Sequence, residues 1–388
     1  MKKFTAILSA VLMLTACAET PKDLKSSGQE KESSPRTEST SAAESITPSE
    51  DVPENISPAQ LKAADNEAAA RIKSRSYDNI KFAETFTVNA AEAPELGVYE
   101  AEKKPVFEQD AEKIIAAYFG DGFDRSKIQK NGDPNNPEIA AYEQNGLRIM
   151  ITPTSFCIQN TAMQKHRTFS SGDELVQQYE VTPAFSDEKL TFGNAEAEVG
   201  KLADMNKSFF DKLAACGYDY RPFTVTALNS PSGDSPEPTV VMLYNEYFKG
   251  IPVFNMCYTP DSGETPDFNY SLISCNDVVF AGRDSIDSIL VNVPYGEVRQ
   301  TSKPDSILSP DKAVELVSKA LAEYLDLTAL RLDLVYVPIL PDGAAEDNSK
   351  AALTPYWLLS FGLKPFCEQY ALVNAQTGQV TYFEPKGV

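Results

Sequence analysis

The 388-residue sequence predicts an α+β fold built from tandem modules, each a helix lying on an antiparallel sheet, and two observations carry this expectation. Between 194 and 217 apolar residues recur at helical intervals on one face, and strand candidates follow at 223–228, 239–248 and 251–258. The same order returns near the C-terminus. There Val314, Val317, Leu321, Tyr324 and Leu325 form a helical stripe, followed by strand candidates at 332–340, 353–361, 369–375 and 379–383. Leu202 and Tyr244 stand 42 positions apart, as do Val314 and Tyr356, which reads as a weak internal duplication. A helix followed by antiparallel strands buries one sheet face under the helix.

The chain divides at changes of composition. Lys2 and Lys3 precede an uncharged apolar run from Phe4 to Leu14, and small residues follow, the pattern of a secretory signal. The run is too short to span a hydrocarbon core of roughly 30 Å. Leu14-Thr15-Ala16-Cys17 resembles the lipobox of bacterial lipoproteins, in which the cysteine sulfur receives a diacylglycerol and cleavage falls just before it. That resemblance implies a signal peptide over 1–16, lipidation at Cys17, and a protein anchored to the cell membrane on its extracytoplasmic face. Two acyl chains suffice for stable anchoring where one is marginal. Residues 17–57 carry the acylated cysteine and a tether rich in Ser, Thr, Glu, Lys and Pro, which cannot bury enough apolar surface to order itself.

Folded structure is expected from 58 onward. Ser57, Pro58 and Gln60 form a capping signal ahead of a helix within 58–79. An N-terminal α+β module is expected over 80–190, with strands at 85–89, 96–101, 147–152 and 156–160, a short helix at 111–119 and a loop at 121–137. A middle module over 191–290 opens with the helix capped at Asn194 and contains a hairpin turning on Lys249-Gly250. The last module, 291–388, opens with Ser309 as cap and Pro310 in the first turn. Trp357 is expected to pack beneath its helix, and Gln376-Thr377-Gly378 to turn its closing hairpin.

The stretch Tyr370-Ala-Leu-Val-Asn-Ala-Gln-Thr-Gly-Gln-Val380 resembles the closing hairpin of a PepSY-type domain. Tyr247-Phe-Lys-Gly-Ile-Pro-Val253 resembles a hairpin of the same group. The segment 286–298, with Val293-Pro294-Tyr-Gly-Glu-Val298, is similar to tandem modules in lipoproteins of clostridial-type bacteria whose domain family has no known function. The resemblance implies PepSY/cystatin-like modules that bind or restrain protein partners. No catalytic residue comes with it.

The residues themselves offer little chemistry. His166 is the sole histidine, which excludes two-histidine metal sites, and no P-loop, G-x-S-x-G or C-x-x-C is present. The acidic turn at 121–124 lacks calcium-loop spacing. No catalytic residue, metal ligand or cofactor is therefore assigned. A formal net charge of −21 argues against nucleic acid as a partner. Beyond Cys17 five cysteines remain, an odd number. Cys257 and Cys275 stand near the ends of two strand candidates, 251–258 and 268–275, and are expected to be neighbours, as a disulfide or as a pair of thiols. The reading that follows is a non-catalytic, membrane-tethered interaction or regulatory module with an envelope or extracellular protein partner. An envelope hydrolase using a carboxylate pair and a carrier of lipid or another small ligand stand as alternatives.

Overall fold

The computed structural model describes residues 53–383 apart from 78, 93, 104–112, 117–128, 134–135, 145, 153–154, 161–173, 181–185, 193–194, 216, 230–238, 255–275, 281–285, 293, 323–326, 340–349 and 362–368. Cys17, His166, Cys216, Cys257, Cys275 and Cys367 lie outside the described residues, as do the signal segment, the tether as far as 52, and the turn at 121–124.

Strand predominates. The chain opens with β1 (Asn55–Ile56), a 3₁₀ turn at Pro58–Gln60 and helix α1 (Asn66–Ser74). β2 (Ile80–Asn89), β3 (Val98–Lys103), β4 (Gln129–Asp133), β5 (Asn136–Gln144), β6 (Leu147–Ile151), β7 (Ser155–Asn160) and β8 (Glu174–Glu180) follow. Next come β9 (Lys189–Phe192), β10 (Ala195–Glu198), α2 (Val199–Ala215), β11 (Tyr220–Asn229), β12 (Thr239–Phe248) and β13 (Ile251–Pro252). The remainder is β14 (Asn276–Phe280), β15 (Ile286–Asn292), β16 (Tyr295–Ser302), β17 (Ile307–Leu308), α3 (Pro310–Ala320), β18 (Leu327–Ile339), β19 (Lys350–Phe361), β20 (Gln369–Asn374) and β21 (Val380–Phe383).

The expected tandem helix-on-sheet modules are not what forms; the protein is mostly β, arranged in several sheets. A ten-stranded sheet runs β4-β5-β6-β7-β15-β14-β12-β11-β8, with β13 attached to β12. A seven-stranded sheet runs β16-β3-β19-β18-β2, with β20 on β19 and β21 on β20. Both draw on strands far apart in sequence. β2 and β3 join the strands after 295, and β2 runs parallel to β18 with Ile80 opposite Leu327. β7 pairs with β15, Phe156 opposite Val291. Asn55–Val388 accordingly form one unit. Periodicity reports which face of an element is apolar but not which strand lies beside it, and this is where the modular expectation failed.

Local signals did hold. Ser57 and Gln60 make the reciprocal capping box, the Ser57 N–H donating to Gln60 Oε1 at 2.8 Å, but it closes a single 3₁₀ turn. The helix begins later, where Asp65 accepts from the Ala68 N–H at 3.0 Å. Ser309 caps α3 by accepting from the Lys312 N–H at 3.2 Å, with Pro310 at the first position. Lys249 and Gly250 both have positive φ, 50° and 79°, the geometry of a two-residue turn that matches strand twist. Tyr247 then faces Pro252, and Phe248 faces Ile251. Asn374 Oδ1 accepts from the N–H groups of Gln376 and Thr377, both at 3.0 Å, and Gly378 supplies φ 76° to complete the closing turn. Two expectations shift. The 121–137 loop gives way at its end to β4 and the start of β5, and the helix expected from 194 begins at Val199 because β10 pairs with β9 first.

Three apolar clusters hold these layers. α1 and α3 contribute Ala69, Ile72, Val314 and Val317 to one face of the seven-stranded sheet, against Val88, Leu332, Trp357 and Leu359. On that sheet's other face Phe254 packs with Val335, Val337, Tyr356 and Leu372. α2 contributes Val199, Leu202 and Leu213 against Val225, Ala227, Val240 and Met242 of the ten-stranded sheet. Trp357 is wholly buried, and its indole N–H donates to the Leu308 carbonyl at 2.9 Å, just ahead of the α3 cap. The ring thus fixes where that helix starts as well as filling the core beneath it.

Candidate functional site

Two places in the described structure concentrate polar chemistry. The first is the seam between the two sheets. Along β12 every second residue faces inward: Val240, Met242, Tyr244, Glu246 and Phe248 are all buried. Glu246 is the one charged member of that face. Its Oε1 accepts the Tyr295 N–H of β16 at 2.6 Å, so a side chain of the ten-stranded sheet is bonded to the backbone of the seven-stranded one. Tyr220 lies across from Glu246 in the β11 register, and Lys103 lies across from Tyr295 in the β3 register. The Lys103 ammonium sits 4.8 Å from the centre of the Tyr295 ring. It ends the inward face begun by Tyr99 and Ala101.

Burial governs these groups. Loss of solvent raises the Glu246 carboxyl to about 7, against the opposing pull of the Lys103 charge and the Tyr295 N–H. Loss of solvent also lowers Lys103, although the Glu246 charge works to raise it. The phenols of Tyr220 and Tyr295 are pushed up by burial first and by Glu246 second. Glu246 is only 8% exposed. The Glu246 carboxyl and the Tyr295 N–H thus join the two layers through a buried hydrogen bond. Among the described residues no group of three or more His, Cys, Asp or Glu is placed to hold a metal ion.

The second place is open. β2 is an end strand of the seven-stranded sheet, and its register with β18 steps from Phe82 opposite Ala329 to Thr87 opposite Arg331. Four residues, Ala83 to Phe86, thus face a single one, a bulge of the kind that re-aims side chains. Beside it the end of α1 and the following loop enclose a groove of about 590 Å³, lined by Lys73, Arg75, Tyr77, Lys81, Phe82 and Glu84 among others. Tyr77 and Phe82 meet edge to face with centroids 5.5 Å apart. The Lys73 ammonium donates to the Glu84 carbonyl at 3.1 Å.

Behind the groove lies a buried carboxylate. Asp311, in the first turn of α3, is 3.1 Å from Arg71 and 3.8 Å from Arg75. An acid there complements both the helix N-terminus and the two guanidiniums. This triad ties the end of α1 to α3 and holds Arg75 at the groove wall. Neither place was singled out in the sequence. An inward-facing Glu at position 246 of an otherwise apolar alternation was the available signal for the seam. The groove had none, because it depends on where α1 meets a strand edge.

No family model and no curated protein matches the chain. Among solved structures it is similar to an uncharacterized protein from Eubacterium rectale ATCC 33656, at 12% identity and a TM-score of 0.53, covering 83% of this chain and all of that one. At that identity the likeness concerns the fold alone.

Proposed function

We propose that the protein is a lipid-tethered, extracytoplasmic interaction module without catalytic activity, held to the cell membrane through Cys17 and engaging an envelope or extracellular protein. The observation that carries the interaction is the open groove beside a bulged end strand, the kind of surface to which other chains add. The anchor rests on Leu14-Thr15-Ala16-Cys17. Among the described residues no helix is long and apolar enough to cross a membrane, and a lipobox anchor needs none.

The test is photo-crosslinking in intact cells. A photoreactive residue at Glu84 should give a discrete protein adduct, while one at Lys207, exposed on α2, gives none. Cys17→Ser should move the protein out of the detergent phase and reduce the adduct. Adducts equally frequent from both positions, or a Cys17→Ser variant that partitions like the wild type, would refute the proposal.

A further inference from the structure

At the bulged edge of β2 a lysine side chain caps a backbone carbonyl. A strand at the end of a sheet exposes unpaired backbone groups, and lysine is a common device for blunting such an edge. Further along β2 the chain closes its own edge: the Asp65 N–H donates to the Val88 carbonyl at 2.8 Å, and the Ala90 N–H to the Lys62 carbonyl at 3.1 Å. Between Ile80 and Phe86 the Lys73 ammonium donates to the Glu84 carbonyl. Lys73 is exposed and sits in the last turn of α1.

We propose that Lys73 is a removable guard over this edge, and that the groove receives an extended acidic segment of a partner protein as an added strand. This rests on the reading of the protein as an interaction module and names the class of partner. An incoming neutral strand gains the Glu84 carbonyl only by stripping the ammonium of its acceptor. A carboxylate gives that ammonium an ionised acceptor in exchange for the neutral carbonyl it leaves. The Glu84 carbonyl is then released to accept the strand's N–H. Arg75 and Lys81 stand on the same groove wall, a local positive rim on a chain of net charge −21. That chain repels acidic segments over most of its surface, which steers them to this rim. Tyr77 and Phe82 offer an aromatic wall for the alternate side chains of the added strand.

The experiment uses the full-length lipidated chain in detergent micelles and fluorescence anisotropy with two labelled octapeptides. One alternates Glu with Val; the other replaces each Glu by Gln. The expected result is at least tenfold tighter binding of the Glu peptide. Lys73→Ala should bring the two affinities within about twofold, weakening the Glu peptide and tightening the Gln peptide because the edge is now unguarded. Lys81→Ala should weaken the Glu peptide without tightening the Gln peptide. Equal affinities in the wild type, no binding of either peptide, or a Lys73→Ala variant that merely loses Glu-peptide affinity as Lys81→Ala does, would overturn the proposal. A crosslinked adduct from position 84 in cells alongside any of these outcomes would leave the interaction module standing and remove the acidic strand. Absence of the adduct alongside the expected peptide preferences would do the reverse.

Discussion

Glu246 and Lys73 each hold one end of a hydrogen bond to backbone, but Glu246 does so between two sheets and Lys73 at an open rim. Glu246 has the Lys103 charge nearby, whereas Lys73 meets a backbone carbonyl on a groove wall it shares with Arg75 and Lys81. Access separates them, more than composition. Enclosed, the Glu246 carboxyl is forced toward its neutral form, and its proton becomes part of the stability of the fold. Exposed, the Lys73 ammonium contributes little to stability, since surface polar pairs are worth about 0–1 kcal/mol. What it retains is freedom to change partner.

The largest effect sets the scale for the enclosed side. Trp357 fills the core under α3, so Trp357→Ala should cost about 3–5 kcal/mol in a denaturant titration. A loss under about 1 kcal/mol would mean that the helix seats itself without the ring.

Next comes the seam. Glu246 titrates at about 7 in the folded protein against an ordinary value of 4.5, so the native state keeps a proton that the unfolded chain releases. Its contribution is present in full below about pH 4.5 and is lost as pH rises to about 7, a fall of up to about 3 kcal/mol. Glu246→Gln retains an acceptor for the Tyr295 N–H and should flatten that slope in urea titrations between pH 4.5 and 7.5. An unchanged slope would place the seam in contact with water.

The smallest stability effect belongs to the open side. Lys73→Ala should change stability by less than about 0.5 kcal/mol, as surface substitutions do. A loss above about 1.5 kcal/mol, measured by thermal unfolding, would turn Lys73 from a guard into a structural strut.

Local chemistry was legible in the sequence, and pairing was not. Ser309 with Pro310, Lys249 with Gly250, and the Asn374 turn each act within a few residues, so residue type alone reported them. The partnership of β2 with β18 joins residues nearly 250 positions apart, and nothing in either strand names the other. Without it the recurring helix-and-hairpin order of α2-β11-β12 and α3-β18-β19 looked like self-contained modules. The seam was half legible: Glu246 breaks an apolar alternation on β12, yet its partner Tyr295 arrives from the other sheet. The groove was illegible for the same reason, since Lys73 and Glu84 meet only once α1 has folded back over β2. Cys17, by contrast, is recognised by its immediate neighbours, and its lipidation remains a proposal that chemistry can check directly.

Native-state hydrogen exchange on the full chain measures the contrast between enclosed and open polar groups most directly. The account predicts that amides from Ala83 to Phe86 exchange at least a hundredfold faster than those from Tyr244 to Phe248, and that the Tyr295 amide belongs with the slow set. Equal protection of the two stretches would contradict it, because β2 would then have no open edge for a partner to join.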